Sequence, residues 1–179
     1  IIMDDGQLPH IKISRHYRRL MKAADTSAEV KEYVRDRVRA GAFLIKSIHQ
    51  RQKTIFRIAT EIVERQVEFL DQGVSHLKPL TMAEIAKAVE VHETTVSRAV
   101  NGKYMRTPRG IFEMKYFFTP GIKTNDGKEV SNKTVKDMIA TLVADEDPAK
   151  PLSDQALHKK LDNQGVKIAR RTIAKYRLV

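Results

Sequence analysis

The residues of this chain best suited to chemistry are cations, and the densest set stands in ARRTIAKYR, residues 169–177, where Arg170, Arg171, Lys175 and Arg177 occur without an acid. At about 100° per residue, a helix here places Ala169, Ile173 and Tyr176 on one side and Arg171 and Lys175 on the opposite one. Arg170 and Arg177 share a flank, and Thr172 lies among the cations. A narrow apolar stripe backed by an Arg and a Lys one turn apart suits an anionic partner, since guanidinium offers a planar fork of donors and ammonium a point charge. A solvated amphipathic helix carries the same pattern, so the surrounding elements must decide.

Reaction chemistry finds little footing. His10, His16, His49, His76, His92 and His158 show no HExxH or other metal-ligand spacing, and the acids form no obvious metal cluster. There is no GxxxxGK[ST] phosphate loop, no nucleophile elbow around a serine and no cysteine. No cofactor is called for, and the expectation is a protein that is not an enzyme.

Lys+Arg number 33 against 22 Asp+Glu, a net charge of +11, which is the electrostatic footprint of a nucleic-acid binder. A membrane surface would attract the same charge, but no apolar run approaches the ~20 residues a spanning helix needs, and IIMDDGQLPH is not signal-like. The absence of cysteine fits a reducing, cytoplasmic setting. With 41% hydrophobic but only 6% aromatic residues, small helical modules are expected rather than one large core. A start without an initiator Met is what a fragment would show.

Along the chain, LPHIKISRHY (8–17) looks extended, like the tail of a domain lying upstream. Thr26 and Glu29 form a capping-box signature, after which apolar residues recur at helical spacing as far as Phe69 and Leu70. This predicts either one helix over 27–71, about 65–70 Å long, or two that divide at Ser47 with Gln50. No heptad is sustained, so its apolar stripe is expected to dock on neighbouring domains or on a partner protein.

LTMAEIAKAVEVHETTVSRAVNG predicts a helix-turn-helix: a Thr81–Glu84 capping box, an inner face of Ile85, Ala86 and Val89, a turn through Glu90, Val91 and His92, and a second inner face of Val96, Ala99 and Val100. Glu90 stands where such turns often carry Gly because φ is positive. Thr94, Ser97, Arg98 and Asn101 project outward, with Arg98 fit for a bidentate contact to guanine. In the following stretch Lys103, Arg106 and Arg109 could hold phosphates, while Tyr104, Ile111, Phe112, Met114, Tyr116, Phe117 and Phe118 are expected to close the core. TPGIKTNDGKEVSNK is read as a linker.

A last module repeats the design. Val135, Met138, Ile139, Leu142 and Val143 make one stripe, Ser153 caps a helix bearing Leu157 and Leu161, Gly165 ends it, and Val166 with Ile168 seals the turn into 169–177. The basic helix thereby becomes the recognition helix of a second helix-turn-helix. The predicted class is all-α: an extended multi-module chain with a very long helix, a helix-turn-helix domain and a C-terminal three-helix helix-turn-helix domain.

At this point the residues carry a resemblance. ARRTIAKYR resembles the signature box of the enhancer-dependent bacterial sigma factors, the sigma-54 or RpoN family, whose pattern is ARRTVAKYRE; Ile173 replaces Val, and Leu178 stands where the acid is usual. VHETTVSRAVNGKYMRTPRGIFEMKYFF, PAKPLSDQALHKKLDNQGVKIARRT and LPHIKISRHYRRL are similar to further regions of that family in the same order, so the resemblance covers essentially the whole chain. It implies the end of a core-binding domain at 1–22, a long connecting helix at 23–78, a helix-turn-helix domain at 79–118, a linker at 119–133 and the box domain at 134–179. It also implies a transcription initiation factor that binds double-stranded promoter DNA and core RNA polymerase, with an activator ATPase acting through an amino-terminal region not contained in this sequence. Arg170, Arg171 and Lys175 would read the GG of the minus-24 element, with Thr172 and Arg177 counted among the DNA-binding residues of the same helix. Glu93, Thr94, Ser97 and Arg98 would sit near the minus-12 element. The rivals are the DNA-binding domain of a recombinase- or transposase-like enzyme, and a helical adaptor for acidic proteins.

Overall fold

The structure, a computed structural model, describes residues 1–4, 11–23, 27–124, 129–146 and 151–177. The Thr26 half of the expected capping box, the Asn125–Gly127 turn and Leu178 lie outside these residues. The chain divides into two compact units, Ile1–Arg57 and Ile58–Val179.

In the first unit, α1 (Arg15–Lys22) is capped by Ser14, and the first turns of α2 (Ala28–Arg65) follow, where Ser27 Oγ accepts from Val30 N at 3.4 Å. α2 runs through Ser47 without a break, because the Ser47 hydroxyl donates back to Phe43 O at 2.9 Å instead of capping a new helix. Val34 is buried, whereas Tyr33, Phe43 and Leu44 are exposed. A hollow of about 450 Å³ is lined by Ile13, Ala42, Ile45, His49 and the stems of Lys46 and Lys53.

The long helix stops at Gln66, so the single helix expected over 27–71 becomes 38 residues of α2 and a short α3 (Val67–Gln72). The reason is tertiary. Gln66 is 1% exposed, and its amide pairs twice with the backbone of Lys78, donating to Lys78 O at 2.8 Å and accepting from Lys78 N at 3.0 Å. Buried amides that satisfy both a donor and an acceptor are costly to move, and this one holds the chain where it leaves α3 through a 3₁₀ turn at Val74–His76.

The helix-turn-helix forms as α4 (Met82–Ala88) and α5 (Glu93–Val100). Both arms of the Thr81–Glu84 capping box are present, and the two hydrogen bonds from Thr81 hold the Glu84 carboxyl below the usual range. Ile85, Ala86, Val89, Val96 and Val100 are buried as the spacing requires. Glu90 adopts φ 54°, the left-handed conformation in which a side chain is strained. Glu90→Gly is therefore expected to stabilise this unit by about 0.5–1 kcal/mol, measurable as a raised midpoint in chemical denaturation. An unchanged or lower midpoint would show that the turn is held without strain.

The all-α expectation needs correction, since two small antiparallel hairpins accompany the helices. β1 (Tyr104–Thr107) pairs with β2 (Gly110–Glu113) in the register Tyr104↔Glu113 and Arg106↔Ile111. Alternation then turns Tyr104 and Ile111 outward, 68% and 64% exposed, so these two do not belong to the core that the sequence suggested. Phe112, Tyr116 and Phe117 do pack inward around Phe69, edge to face at 5.3 Å for Phe112 and for Phe117. β3 (Gly121–Lys123) pairs with β4 (Glu129–Ser131) inside the stretch read as a linker.

The remaining helices are α6 (Asn132–Ala144), α7 (Asp154–Asn163) and α8 (Arg170–Arg177). Ser131 and Ser153 cap α6 and α7, and Gly165, at φ 83°, lets the chain leave α7 where a Cβ would be strained. Val135, Ile139, Leu157, Leu161, Val166, Ile168 and Ile173 form their own core, with Ile122 and Val130 of the second hairpin against it.

Candidate nucleic-acid interface

α8 packs on its module through Ile173, with Tyr176 against the same core. Ile173 is fully buried and Tyr176 half-buried, but Ala169 is exposed and precedes the helix, so it is not on the buried stripe; its carbonyl accepts from Thr172 N and Ile173 N and starts the first turn. Arg170, Arg171 and Lys175 are exposed, and among the described residues no acid pairs with them. Thr172 is half-buried beside them.

The first turn of α8 holds two arginines and no acid. Cations at a helix N-terminus oppose the macrodipole by about 0.3–1 kcal/mol each, so their position does not serve stability. An external anion reverses that penalty, because the free N–H groups and the guanidinium forks then face the same charge.

Arg177 is different. Its Nη1 donates to Leu152 O at 2.7 Å and to Asp154 Oδ1 at 3.4 Å, and its Nη2 donates to Glu146 Oε1 at 3.3 Å. The guanidinium is thus turned into its own module, where it ties the end of α8 to the segment entering α7.

α5 brings Glu93, Thr94, Ser97 and Arg98 together on one exposed face. His92 caps the helix: its Nδ1 accepts from Thr94 N at 3.2 Å and lies 2.9 Å from Thr94 Oγ1, which fixes the threonine rotamer. Ser97, Arg98 and Asn101 line a shallow hollow of about 120 Å³ with Met82 and Lys115. Lys115 was not singled out from the sequence. It sits in the 3₁₀ turn Met114–Phe117, and its only signal was that it alone is polar between the buried Met114 and half-buried Tyr116.

Of the remaining cations, Arg106 is exposed on β1, and Lys103 is half-buried at the base of the first hairpin, whose first strand begins at the next residue. Arg109 is at the hairpin tip, where its Nε donates to Leu70 O at 3.2 Å. The hairpin and the residue before it therefore carry three cations on an element separate from α5. Among the described residues no group of three His, Asp or Glu stands together as a metal site, and no helix is long and apolar enough to cross a membrane.

Comparison with known proteins fits this geometry. The profile of the family described as Sigma-54, DNA binding domain matches residues 31–179. The RNA polymerase sigma-54 factor of Salmonella typhimurium is 41% identical over 175 residues, 98% of this chain and 36% of that protein. That of Azotobacter vinelandii is 43% identical over 175 residues, 98% of this chain and 35% of the relative. The chain thus spans about a third of the length of these curated relatives. The crystal structure of Aquifex aeolicus sigmaN bound to promoter DNA superposes with a TM-score of 0.63 at 32% identity, covering 98% of this chain and 52% of that one. With a helix-turn-helix, a second helical module ending in a cationic helix, and a profile match over most of its residues, the chain belongs to the sigma-54 DNA-binding domain family.

Proposed function

We propose that the unit Ile58–Val179 binds double-stranded promoter DNA in a sequence-specific way through two reading helices, as part of a sigma-54 type transcription initiation factor. α8 enters a major groove with Arg170, Arg171, Thr172 and Lys175 directed at the minus-24 element. α5, through Glu93, Thr94, Ser97 and Arg98, faces the minus-12 element, and Lys103, Arg106 and Arg109 hold phosphates from the neighbouring hairpin. Arg177 supports α8 from behind. The observation that carries this is the pair of arginines and the lysine on the exposed face of α8, free of acids and set over a single buried isoleucine.

Membership of the family supports a larger role. The chain acts in the cytoplasm without catalysing a reaction, the factor directs core RNA polymerase to minus-24/minus-12 promoters, and an activator ATPase supplies the energy for opening through a different region. The exposed Tyr33, Phe43 and Leu44 of α2 suit contact with a protein partner.

Protection mapping on a duplex carrying GG and GC elements one turn apart tests the assignment. Two protected patches on one face are expected; a single patch would remove one of the helices from the interface. Changing Lys103 to Ala should lower the slope of log affinity against log salt by about one unit and leave sequence preference intact. Altered preference, seen in parallel titrations against mutated elements, would mean that Lys103 touches bases.

A further inference from the structure

α5 and α8 rest on separate hydrophobic cores, yet a buried polar seam joins the two modules inside the second unit. Ser131 is fully buried and Thr134 5% exposed. Thr134 Oγ1 lies 3.2 Å from Val74 O, 3.1 Å from Leu77 O and 2.9 Å from Ser131 Oγ. Its one proton goes to a carbonyl of the first module, and its lone pairs take the Ser131 hydroxyl. Next to it, Lys133 Nζ donates to Tyr116 O at 2.7 Å and stands 3.0 Å above the centroid of the Tyr116 ring. Tyr116 is itself packed on Phe112 at 4.9 Å and Phe117 at 5.7 Å.

The seam continues to the reading helix. The Tyr176 hydroxyl of α8 donates to Asn132 Oδ1 at 3.3 Å, and Lys136 Nζ stands 4.9 Å above the Tyr176 ring. Asn132, Lys133 and Thr134 are consecutive in the first turn of α6. One turn of helix therefore holds α8 on one side and Val74, Leu77 and Tyr116 on the other.

We propose that Lys133 and Thr134 are positioning residues that fix the separation of the two DNA elements read by α5 and α8, so that the protein selects spacing as well as sequence. The proposal rests on the DNA-reading roles given above. One inserted base pair moves an element by about 3.4 Å along the duplex and rotates it by roughly 35°. A flexible connection would absorb this, because loop closure depends only weakly on length. The seam cannot absorb it without parting the Thr134 hydroxyl from its carbonyls and lifting the Lys133 ammonium off its ring. Lys133 is half-buried, and burial, followed by the like charge of Lys136, lowers its ammonium to about 8.

Anisotropy titrations of the full chain test this, using duplexes with the two elements at optimal spacing, with one base pair added or removed, and with one element only. The unaltered protein should lose about tenfold or more in affinity for each base pair of offset, the scale of one misplaced base contact. Thr134→Val and Lys133→Met should each reduce that penalty to about threefold, as expected when a hydrogen bond of the seam is absent, and leave single-element affinity within about twofold. Lys133→Arg, which keeps both the donor and the cation over the ring, should keep the full penalty. Penalties in Thr134→Val and Lys133→Met as large as in the unaltered protein, with native circular dichroism, would overturn the proposal. Selection of both elements with no dependence on spacing would also overturn it while leaving DNA reading intact. No selection of either element over random duplex would overturn both.

Discussion

Ile173→Asp is expected to unfold the C-terminal module and to leave the helix-turn-helix standing. Ile173 is completely buried, and its neighbours Val135, Ile139, Leu157, Leu161, Val166 and Ile168 are all apolar. Truncating such a residue costs about 2–5 kcal/mol, and a carboxylate without a partner in the same space adds several more or forces its own protonation. A module built on seven buried apolar residues has no reserve of that size. Hydrogen exchange should show α6, α7 and α8 losing protection, while α4 and α5, whose core of Ile85, Val96, Val100, Met114 and Phe117 is separate, keep theirs. Simultaneous loss of protection in both modules would mean that the two cores fold as a single cooperative unit.

Arg171→Ala should weaken binding to the cognate duplex by about 1–3 kcal/mol, or roughly 5- to 150-fold, and relax preference at one or two base pairs. The side chain is exposed on the first turn of α8, and among the described residues it has no protein partner to lose, so folding should be unchanged. Competition against a panel of single-base variants is the measurement. An equal loss on random and cognate duplex would reassign Arg171 to phosphate. Arg177→Ala should behave in the opposite sense: it breaks contacts to Leu152, Asp154 and Glu146, so thermal stability falls first and affinity follows.

The contrast between these two arginines shows how far the sequence could lead. Periodicity alone placed both among cations, and it cannot distinguish a guanidinium facing solvent from one reaching back 31 residues to Glu146. Elements defined by local chemistry were legible. The Thr81–Glu84 box, the apolar faces of α4 and α5, the positive φ at Glu90 and the Ser153 and Gly165 ends of α7 all depend on residues within a few positions of each other. Features created by distant pairing were not. The break at Gln66 depends on Lys78, and the first hairpin has only four residues per strand, so the alternation of Tyr104, Met105, Arg106 and Thr107 is too short to stand out from its basic, aromatic surroundings. The seam at Thr134 was invisible for the same reason, since a threonine in the first turn of a helix reads as ordinary capping chemistry.

The inward turn of Arg177 also shapes the electric field that an approaching duplex meets. Glu146 and Asp154 lie near the end of the cationic helix, and bare carboxylates there would repel phosphates over a Debye length of about 8–10 Å. By pairing with both, Arg177 offsets part of their negative charge, so that the charges of Arg170, Arg171 and Lys175 extend into solvent with less opposition, which favours fast, salt-sensitive capture by steering. A side chain that touches no nucleotide can thus raise the association rate, by moderating two acids rather than by adding a contact to the duplex.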